Sequence, residues 1–127
     1  MLGGGVRLNG DVLYSLQLIP IVNAGELVIL KFDQFVHLFG FGVTTLLAYH
    51  LLKRYLNNKV NYKVFYSALV LIGMGFGALN EIVEFAAVVA FPQTGVGGYY
   101  NTALDLVFNM LGAIIAVVFI HLRRRKF

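Results

Sequence analysis

The sequence predicts an all-α fold, a polytopic membrane helix bundle, from its composition and from the distribution of its apolar residues. Of the 127 residues, 59% are hydrophobic and only 13% are charged, about half the charged share of an average soluble domain. The apolar residues gather in long uncharged runs, with room for three or four spans of about 20 residues each. We therefore expect one integral membrane domain over residues 1–127, in contact with the lipid bilayer.

Three transmembrane spans are predicted, over residues 33–52, 63–90 and 103–122. The first is followed by Lys53 and by a polar connection, and the second ends just before Pro92, because proline cannot continue the hydrogen-bond ladder of a helix. A short glycine-rich loop precedes the third span. There, Asn101 or Thr102 is the expected N-cap, since short polar side chains bond the free N–H groups of a first turn.

The apolar stretch over residues 11–30 is interrupted by Pro20, Asn23, Gly25 and Glu26. Only a short stretch separates it from the span that starts near residue 33, so a full crossing would need a tight reversal of the chain. We expect an interfacial or re-entrant segment on the external side of the membrane. A fourth transmembrane span is the alternative.

The basic residues predict the orientation of the bundle. Eight of the ten lysines and arginines lie in the connection 53–63 or in the tail 123–126, and clusters of this kind mark the cytoplasmic side. We expect a multi-pass protein of the cell (inner or plasma) membrane, with a cytoplasmic C-terminus and an external loop at 92–102. The net charge of +4 is explained by these clusters and does not indicate binding to nucleic acid. The absence of cysteine excludes disulfides and thiolate metal sites.

Each predicted span carries polar side chains at helical spacing near one end. The pairs are Asp33–His37, Glu81–Glu84 beside Asn80, and Asp105–Asn109 with Gly112 one turn further. These spacings place both members of a pair on one helix face. A rise of about 1.5 Å per residue puts the pairs roughly 20–31 Å from the cytoplasmic ends of their spans. We therefore expect them to converge at one level, in the outer part of the membrane.

Carboxylates inside a membrane are costly, at about 2.5–3.5 kcal/mol each near a helix centre. Two glutamates on one face also repel each other unless they are protonated or bound to a cation. The residue types suit a divalent cation such as Mg²⁺, Mn²⁺, Ca²⁺ or Zn²⁺, and they suit a proton-relay cluster equally well. The predicted metal ligands are Asp33, His37, Glu81, Glu84 and Asp105, with Asn80, Asn109 and Gly112 in support.

Three segments, DQFVHLFGFG (33–42), NEIVEF (80–85) and GGYYNTALDLVFNMLGA (97–113), resemble the YjdF-like family of small inner-membrane proteins. They are more distantly similar to the VanZ-like family, named for a teicoplanin resistance protein. The second glutamate favours the YjdF-like side, because VanZ-like members typically have a glutamine there. The resemblance covers about residues 31–122 and implies a shared polar set: Asp33, His37, Glu81, Glu84, Asp105, Asn109 and Gly112.

The resemblance implies a shared site rather than a reaction, because no biochemical activity is established for the YjdF-like family. YjdF-like proteins usually have additional N-terminal helices, so this chain is expected to be a short version or to lack its beginning.

Three functions are compatible with these residues. The first is a small membrane protein whose outward-facing site binds a metal and binds or acts on a lipid or cell-envelope precursor. The second is an ion- or proton-coupled transporter subunit that works as a homo-oligomer, since three spans are too few for alternating access in a monomer. The third is a non-catalytic binding or resistance protein, in which the polar residues form an interhelical hydrogen-bond network. The sequence does not decide whether the protein is an enzyme.

Overall fold

Three long helices form a bundle. The computed structural model describes residues 7–8, 11–12, 23–24, 27–28, 32–57, 59–91 and 98–124. The helices are α1 (Phe32–Leu52), α2 (Tyr62–Ala90) and α3 (Tyr99–Arg124), and a single 3₁₀ turn (Lys53–Tyr55) follows α1. All three are long and apolar enough to cross a membrane, with lengths of about 32, 44 and 39 Å against a hydrocarbon core of about 30 Å. The predicted membrane helix bundle is confirmed.

The ends of α1 and α2 lie within one residue of the predicted span limits. Asn61 caps the start of α2, where its side-chain oxygen accepts hydrogen bonds from the N–H groups of Lys63 at 3.1 Å and Val64 at 3.4 Å. At the other end, α2 stops at Ala90, and the N–H of Phe91 donates to the carbonyl of Ala87. The predicted stop before Pro92 is therefore confirmed.

The start of α3 differs from the prediction. The helix begins at Tyr99, four residues before the predicted span, because the carbonyl of Gly98 accepts hydrogen bonds from the N–H groups of Asn101 at 3.0 Å and Thr102 at 3.2 Å. The prediction that Asn101 or Thr102 is the N-cap was wrong, since both residues lie inside the helix. The side chain of Asn101 is therefore available for contacts with other helices.

Before α1, the described residues form two short antiparallel strand pairs. β1 (Arg7–Leu8) pairs with β2 (Asp11–Val12), and β3 (Asn23–Ala24) pairs with β4 (Leu27–Val28). Each strand has only 2 residues, so the fold remains a helix bundle. Whether residues 11–30 lie at the interface, re-enter or cross as a fourth span concerns positions that are mostly outside the described residues. The loop at 92–97 lies outside them too.

Glycines bring the three helices into close contact. α3 is the most buried helix and packs against both α1 and α2. A Cβ atom at Gly112 of α3 would overlap the backbone carbonyl of Leu38 on α1, and a Cβ at Gly77 of α2 would overlap the side chain of Asn109 on α3. Small residues are typical of such membrane helix contacts because they let the backbones approach. The close approach draws the polar faces of the helices together.

The bundle buries polar side chains and exposes large apolar ones. Exposed residues include Phe39, Val83 and Ile115, one on each helix. The bilayer surrounds the helices with lipid tails that are as apolar as these side chains, so the exposed faces are suited to contact with lipid. The buried polar residues are Gln34, His37, Thr45, Glu81, Asn101, Asp105 and Asn109.

The two ends of the bundle differ in chemistry. The basic end holds the connection between α1 and α2 and the end of α3, where the Arg124 guanidinium lies 3.3 Å from the centroid of the Tyr62 ring. Nearby, the rings of Tyr66 and His121 meet edge to face at 5.7 Å. These contacts confirm that the connection 53–63 and the end of α3 share one end of the bundle. The opposite end, where α1 and α3 begin and α2 stops, is called the polar end below.

Candidate functional site

Side chains from all three helices meet around one imidazole near the polar end. We call this group the His37 cluster; its members are Asp33, Gln34, His37, Asn80, Glu81, Glu84, Asn101, Asp105 and Asn109. His37, Glu81 and Asp105 lie about 8–14 Å from the nearest ends of their helices. The predicted convergence at one level is therefore present in the fold.

The His37 ring has a carboxylate or an amide on each edge. Its Nε2 atom lies 3.7 Å from Oδ1 of Asp33 and 4.0 Å from Oδ2 of Asp105. Its Nδ1 atom lies 2.9 Å from Oδ1 of Asn109 and 3.7 Å from Oε1 of Glu81. One imidazole therefore has acidic neighbours from α1, α2 and α3.

Two amide side chains orient the aspartates. The Nδ2 group of Asn101 donates to Oδ2 of Asp105 at 2.7 Å and to Oδ2 of Asp33 at 3.0 Å. The Nε2 group of Gln34 donates to Oδ1 of Asp105 at 3.0 Å, and at 3.4 Å to Oδ1 of Asn101. Hydrogen bonds to a charged acceptor are shorter and stronger than neutral ones. These bonds hold Asp105, which is 0% exposed, and Asp33 facing the same ring edge.

The glutamate side of the cluster is less completely bonded. Glu84 is half-buried and accepts a hydrogen bond from Nδ2 of Asn80 at 3.0 Å. The side chain of Glu81 is only 8% exposed, yet its Oε1 atom has no hydrogen-bond partner among the described residues, and neither does Nδ2 of Asn109. A buried polar atom without a partner costs about 1–3 kcal/mol. Both residues lie on the Nδ1 side of the His37 ring, so that side is less completely bonded than the side of the two aspartates.

The spacing of the cluster fits a metal ion. Asp33, His37 and Asp105 form one group, and His37, Glu81 and Glu84 form another; in each group the ligand atoms lie within 4.8 Å of one another. Ligand atoms held about 2.0–2.6 Å from one ion have separations of this size. The donor set also fits, since imidazole and carboxylate ligands together suit first-row divalent metals. The structure thus divides the predicted ligands into two groups that share His37.

All of the predicted polar residues reach the cluster, and Gly112 lies below it at the contact between α1 and α3. Two members of the cluster, Gln34 and Asn101, were not predicted from the sequence. The spacing of Asn101, Asp105 and Asn109 at intervals of four residues places all three on one helix face, and it could have identified Asn101. Gln34 lies three residues before His37, a weaker signal because a glutamine near a helix start has many other uses.

The helices and the cluster together define an integral membrane helix bundle with a buried group of acidic residues around a histidine. The chain belongs to the family described as "Predicted membrane protein (DUF2238)", which matches residues 4–126. No curated protein and no solved structure matches the chain. The family match confirms the class of membrane protein and leaves the chemistry of the cluster to be argued from its residues.

Proposed function

We propose that this membrane protein holds a divalent metal ion at the His37 cluster and uses it to bind or act on a lipid or another component of the cell envelope. The observation that carries the proposal is the convergence of one imidazole and four carboxylates from three helices. The proposed ligands are drawn from Asp33, His37, Glu81, Glu84 and Asp105.

The crowding of carboxylates in the cluster supports a cation. Asp33, Glu81 and Asp105 each place a carboxylate oxygen within 4.0 Å of one imidazole, and Glu84 lies beside them. Carboxylates held this close together repel one another unless they are protonated or bound to a cation. A divalent cation would offset that repulsion directly.

The donor set also favours some metals over others. Mg²⁺ and Ca²⁺ bind mainly oxygen ligands, whereas imidazole suits Zn²⁺ and other transition metals. We therefore favour Zn²⁺ or Mn²⁺. When bound, such an ion polarises a substrate oxygen or activates a water molecule. The chain itself supplies the ligands, the amides that orient them and an apolar surround.

The position of the cluster supports a ligand that comes from the bilayer or its surface. The Asp33 side chain is 19% exposed and Glu84 is half-buried, so the edge of the cluster is accessible while Asp105 and Asn109 are closed off. The helix faces around it contact lipid, so a membrane component could reach the site without leaving the bilayer.

A transporter is less well supported. Towards the basic end, the fully buried residues of the described bundle are apolar residues and glycines apart from Thr45. The partly buried Tyr66 and His121 pack on each other nearer the end of the bundle. The hydroxyl of Thr45 donates to the carbonyl of Phe41 within its own helix. The described residues therefore form no polar track by which an ion or a proton would continue from the His37 cluster through the bundle.

The proposal includes a place in the cell. The positive-inside bias supports a cytoplasmic basic end and C-terminus, and an outward-facing cluster in the cell (inner or plasma) membrane. It also includes a single membrane domain over residues 1–127. The motifs around Asp33, Glu81 and Asp105 support homology to YjdF-like proteins and, more distantly, to VanZ-like proteins.

Metal analysis of detergent-purified protein tests the proposal. We expect about one ion per chain in the wild type and in His121→Gln, a matched change at the basic end, and at least about tenfold less in His37→Gln. Asp33→Asn, which changes a partly exposed ligand, should also lower the metal content. Circular dichroism checks that each variant is folded. A folded wild type that takes up no divalent ion would contradict the proposal and leave the cluster as an interhelical hydrogen-bond network.

A second measurement tests the lipid part of the proposal. Native mass spectrometry of the wild type should detect co-purified lipid that is lost when the ion is removed with a chelator, or in Asp33→Asn. Lipid retention that is unchanged by the chelator and by the substitution would contradict a role for the ion in binding it.

A further inference from the structure

The two candidate ligand groups cannot both use a neutral His37 ring at the same time. Asp33 and Asp105 face its Nε2 atom, at 3.7 Å and 4.0 Å, whereas Glu81 faces its Nδ1 atom at 3.7 Å. A neutral imidazole carries a proton on one nitrogen and a lone pair on the other. Only the nitrogen with the lone pair can bind a metal, so the position of the ring proton decides which group includes His37.

Asn109 determines the position of that proton. Its Oδ1 atom lies 2.9 Å from Nδ1 of His37, and an amide oxygen is only an acceptor, so Nδ1 is the donor and the lone pair lies on Nε2. Histidines that bind metals almost always donate their other ring N–H to an oxygen in this way. The contact therefore prepares the Nε2 edge for an ion.

The surroundings of Asn109 keep its amide at the ring. Asn109 is 0% exposed, and its side chain packs so closely against Gly77 of α2 that a Cβ atom there would overlap it. A residue larger than glycine at position 77 would therefore push this amide out of its place at the ring. The contact between Gly77 of α2 and Asn109 of α3 thus helps to determine where the ring proton of His37 lies, although His37 belongs to α1.

We propose that the ion binds at the Nε2 edge of His37, with Asp33 and Asp105, and that Asn109 is the positioning residue that selects this edge. Glu81 and Glu84 lie across the ring and do not share the ion that His37 binds. This inference rests on the proposed function, because it specifies where in the His37 cluster the proposed ion lies.

Two double variants, each with two carboxylates changed to amides, test whether the ion binds at the Nε2 edge or at the Nδ1 edge of His37. Asp33→Asn/Asp105→Asn removes both carboxylates of the Nε2 edge, and Glu81→Gln/Glu84→Gln removes both of the Nδ1 edge. With Zn²⁺ as the probe, we expect affinity to fall by at least about 100-fold in the aspartate variant, since it loses direct ligands. It should fall by about tenfold or less in the glutamate variant, which loses only nearby negative charge. The reverse order of losses would overturn the assignment of the edge.

Variants of Asn109 test its role in positioning the ring. Asn109→Leu has the same branched shape, with methyl groups in place of the amide and no acceptor, so Zn²⁺ affinity should fall by about 10–100-fold. Asn109→Asp keeps an oxygen acceptor for the Nδ1–H group, so it should retain most of the affinity. Equal losses in the two variants would overturn the role of Asn109 as a hydrogen-bond acceptor.

Nitrogen-15 NMR of histidine-labelled protein gives a readout that a purely structural role would not change. The chain has three histidines, so a His50→Gln/His121→Gln background leaves His37 as the single signal. We expect a protonated Nδ1 without metal, and Zn²⁺ on Nε2 when it is added. Zn²⁺ on Nδ1 would overturn the inference.

The metal-free spectrum separates this inference from the proposed function. A wild type that binds no divalent ion contradicts the proposed function, whereas the tautomer of the metal-free ring still reports on Asn109. In Asn109→Leu the ring should no longer hold its proton on Nδ1 alone. An unchanged tautomer in that variant would overturn the positioning role whatever the metal result.

Discussion

Two histidines at opposite ends of the bundle show how differently one residue type is used. His37, at the polar end, has carboxylates from three helices within 4.0 Å of its ring nitrogens and an amide at 2.9 Å. His121, at the basic end, packs edge to face on Tyr66. The Nδ1 atom of His121 is also buried and has no hydrogen-bond partner among the described residues. Burial alone therefore does not distinguish the two; the acidic neighbours do.

The polar end and the basic end also differ in the side-chain contacts that join their helices. At the polar end, buried side-chain hydrogen bonds join α1 to α3, so each change there leaves a polar atom without its partner. At the basic end, aromatic rings and a guanidinium make the contacts, near the exposed ends of the helices. Substitutions at the polar end should therefore affect stability and chemistry together, whereas those at the basic end should have small effects on stability alone.

The largest effect is expected from Gly77→Ala, compared with Gly75→Ala two residues earlier on the same helix. A Cβ atom at Gly77 would overlap Asn109, whereas one at Gly75 has no heavy atom within 4 Å. We expect Gly77→Ala to lower the free energy of unfolding by about 1–3 kcal/mol and to weaken metal binding through Asn109. Gly75→Ala should be neutral or slightly stabilising, because alanine favours a helix more than glycine does. Denaturant unfolding in detergent micelles measures both, and equal effects would contradict the close contact.

A smaller loss is expected from Asn101→Ala, compared with Asn57→Ala in the exposed connection. Asn101 bonds two carboxylates inside the bundle, whereas Asn57 accepts one hydrogen bond from the exposed N–H of Lys59. Removing the buried bonds should cost about 1–2 kcal/mol of unfolding free energy, and the exposed one should cost little. The same unfolding assay compares them. Indistinguishable variants would show that the aspartates do not depend on Asn101.

The smallest effect is expected at the basic end, from Arg124→Gln. The cation–π contact with Tyr62 is worth about 0.5–1 kcal/mol at an exposed site. Metal content should stay at the wild-type level, because this end has no contact with the His37 cluster. A large fall in metal content would contradict the separation of the two ends.

Much of the fold could be predicted from the sequence because apolar runs and breaking residues act locally. Pro92 and the basic connection mark the ends of α2 and α1 within a residue. The start of α3 could not be predicted in the same way, because its first turn depends on the backbone carbonyl of Gly98 and no side-chain cap signals it.

The candidate site was only partly predictable for a related reason. Helical spacing showed which polar residues share a face, and the rise per residue showed that the faces meet at one level. Asn101 was missed because asparagine is also a common N-cap, and that use was the simpler interpretation. The division of the carboxylates between the two edges of His37 depends on how α1 is rotated against α2 and α3. Spacing within each helix contains no information about that rotation.

Thermal unfolding of the wild type and of His37→Gln, each with excess Zn²⁺ or with a chelator, tests the central claim most directly. A ligand that binds only the folded state stabilises it by mass action, by about 2.7 kcal/mol at a concentration of 100 Kd. We predict that Zn²⁺ raises the unfolding temperature of the wild type and of His121→Gln, and leaves that of His37→Gln unchanged. The same Zn²⁺-dependent shift in His37→Gln, or no shift in the wild type, would contradict a metal site at the His37 cluster.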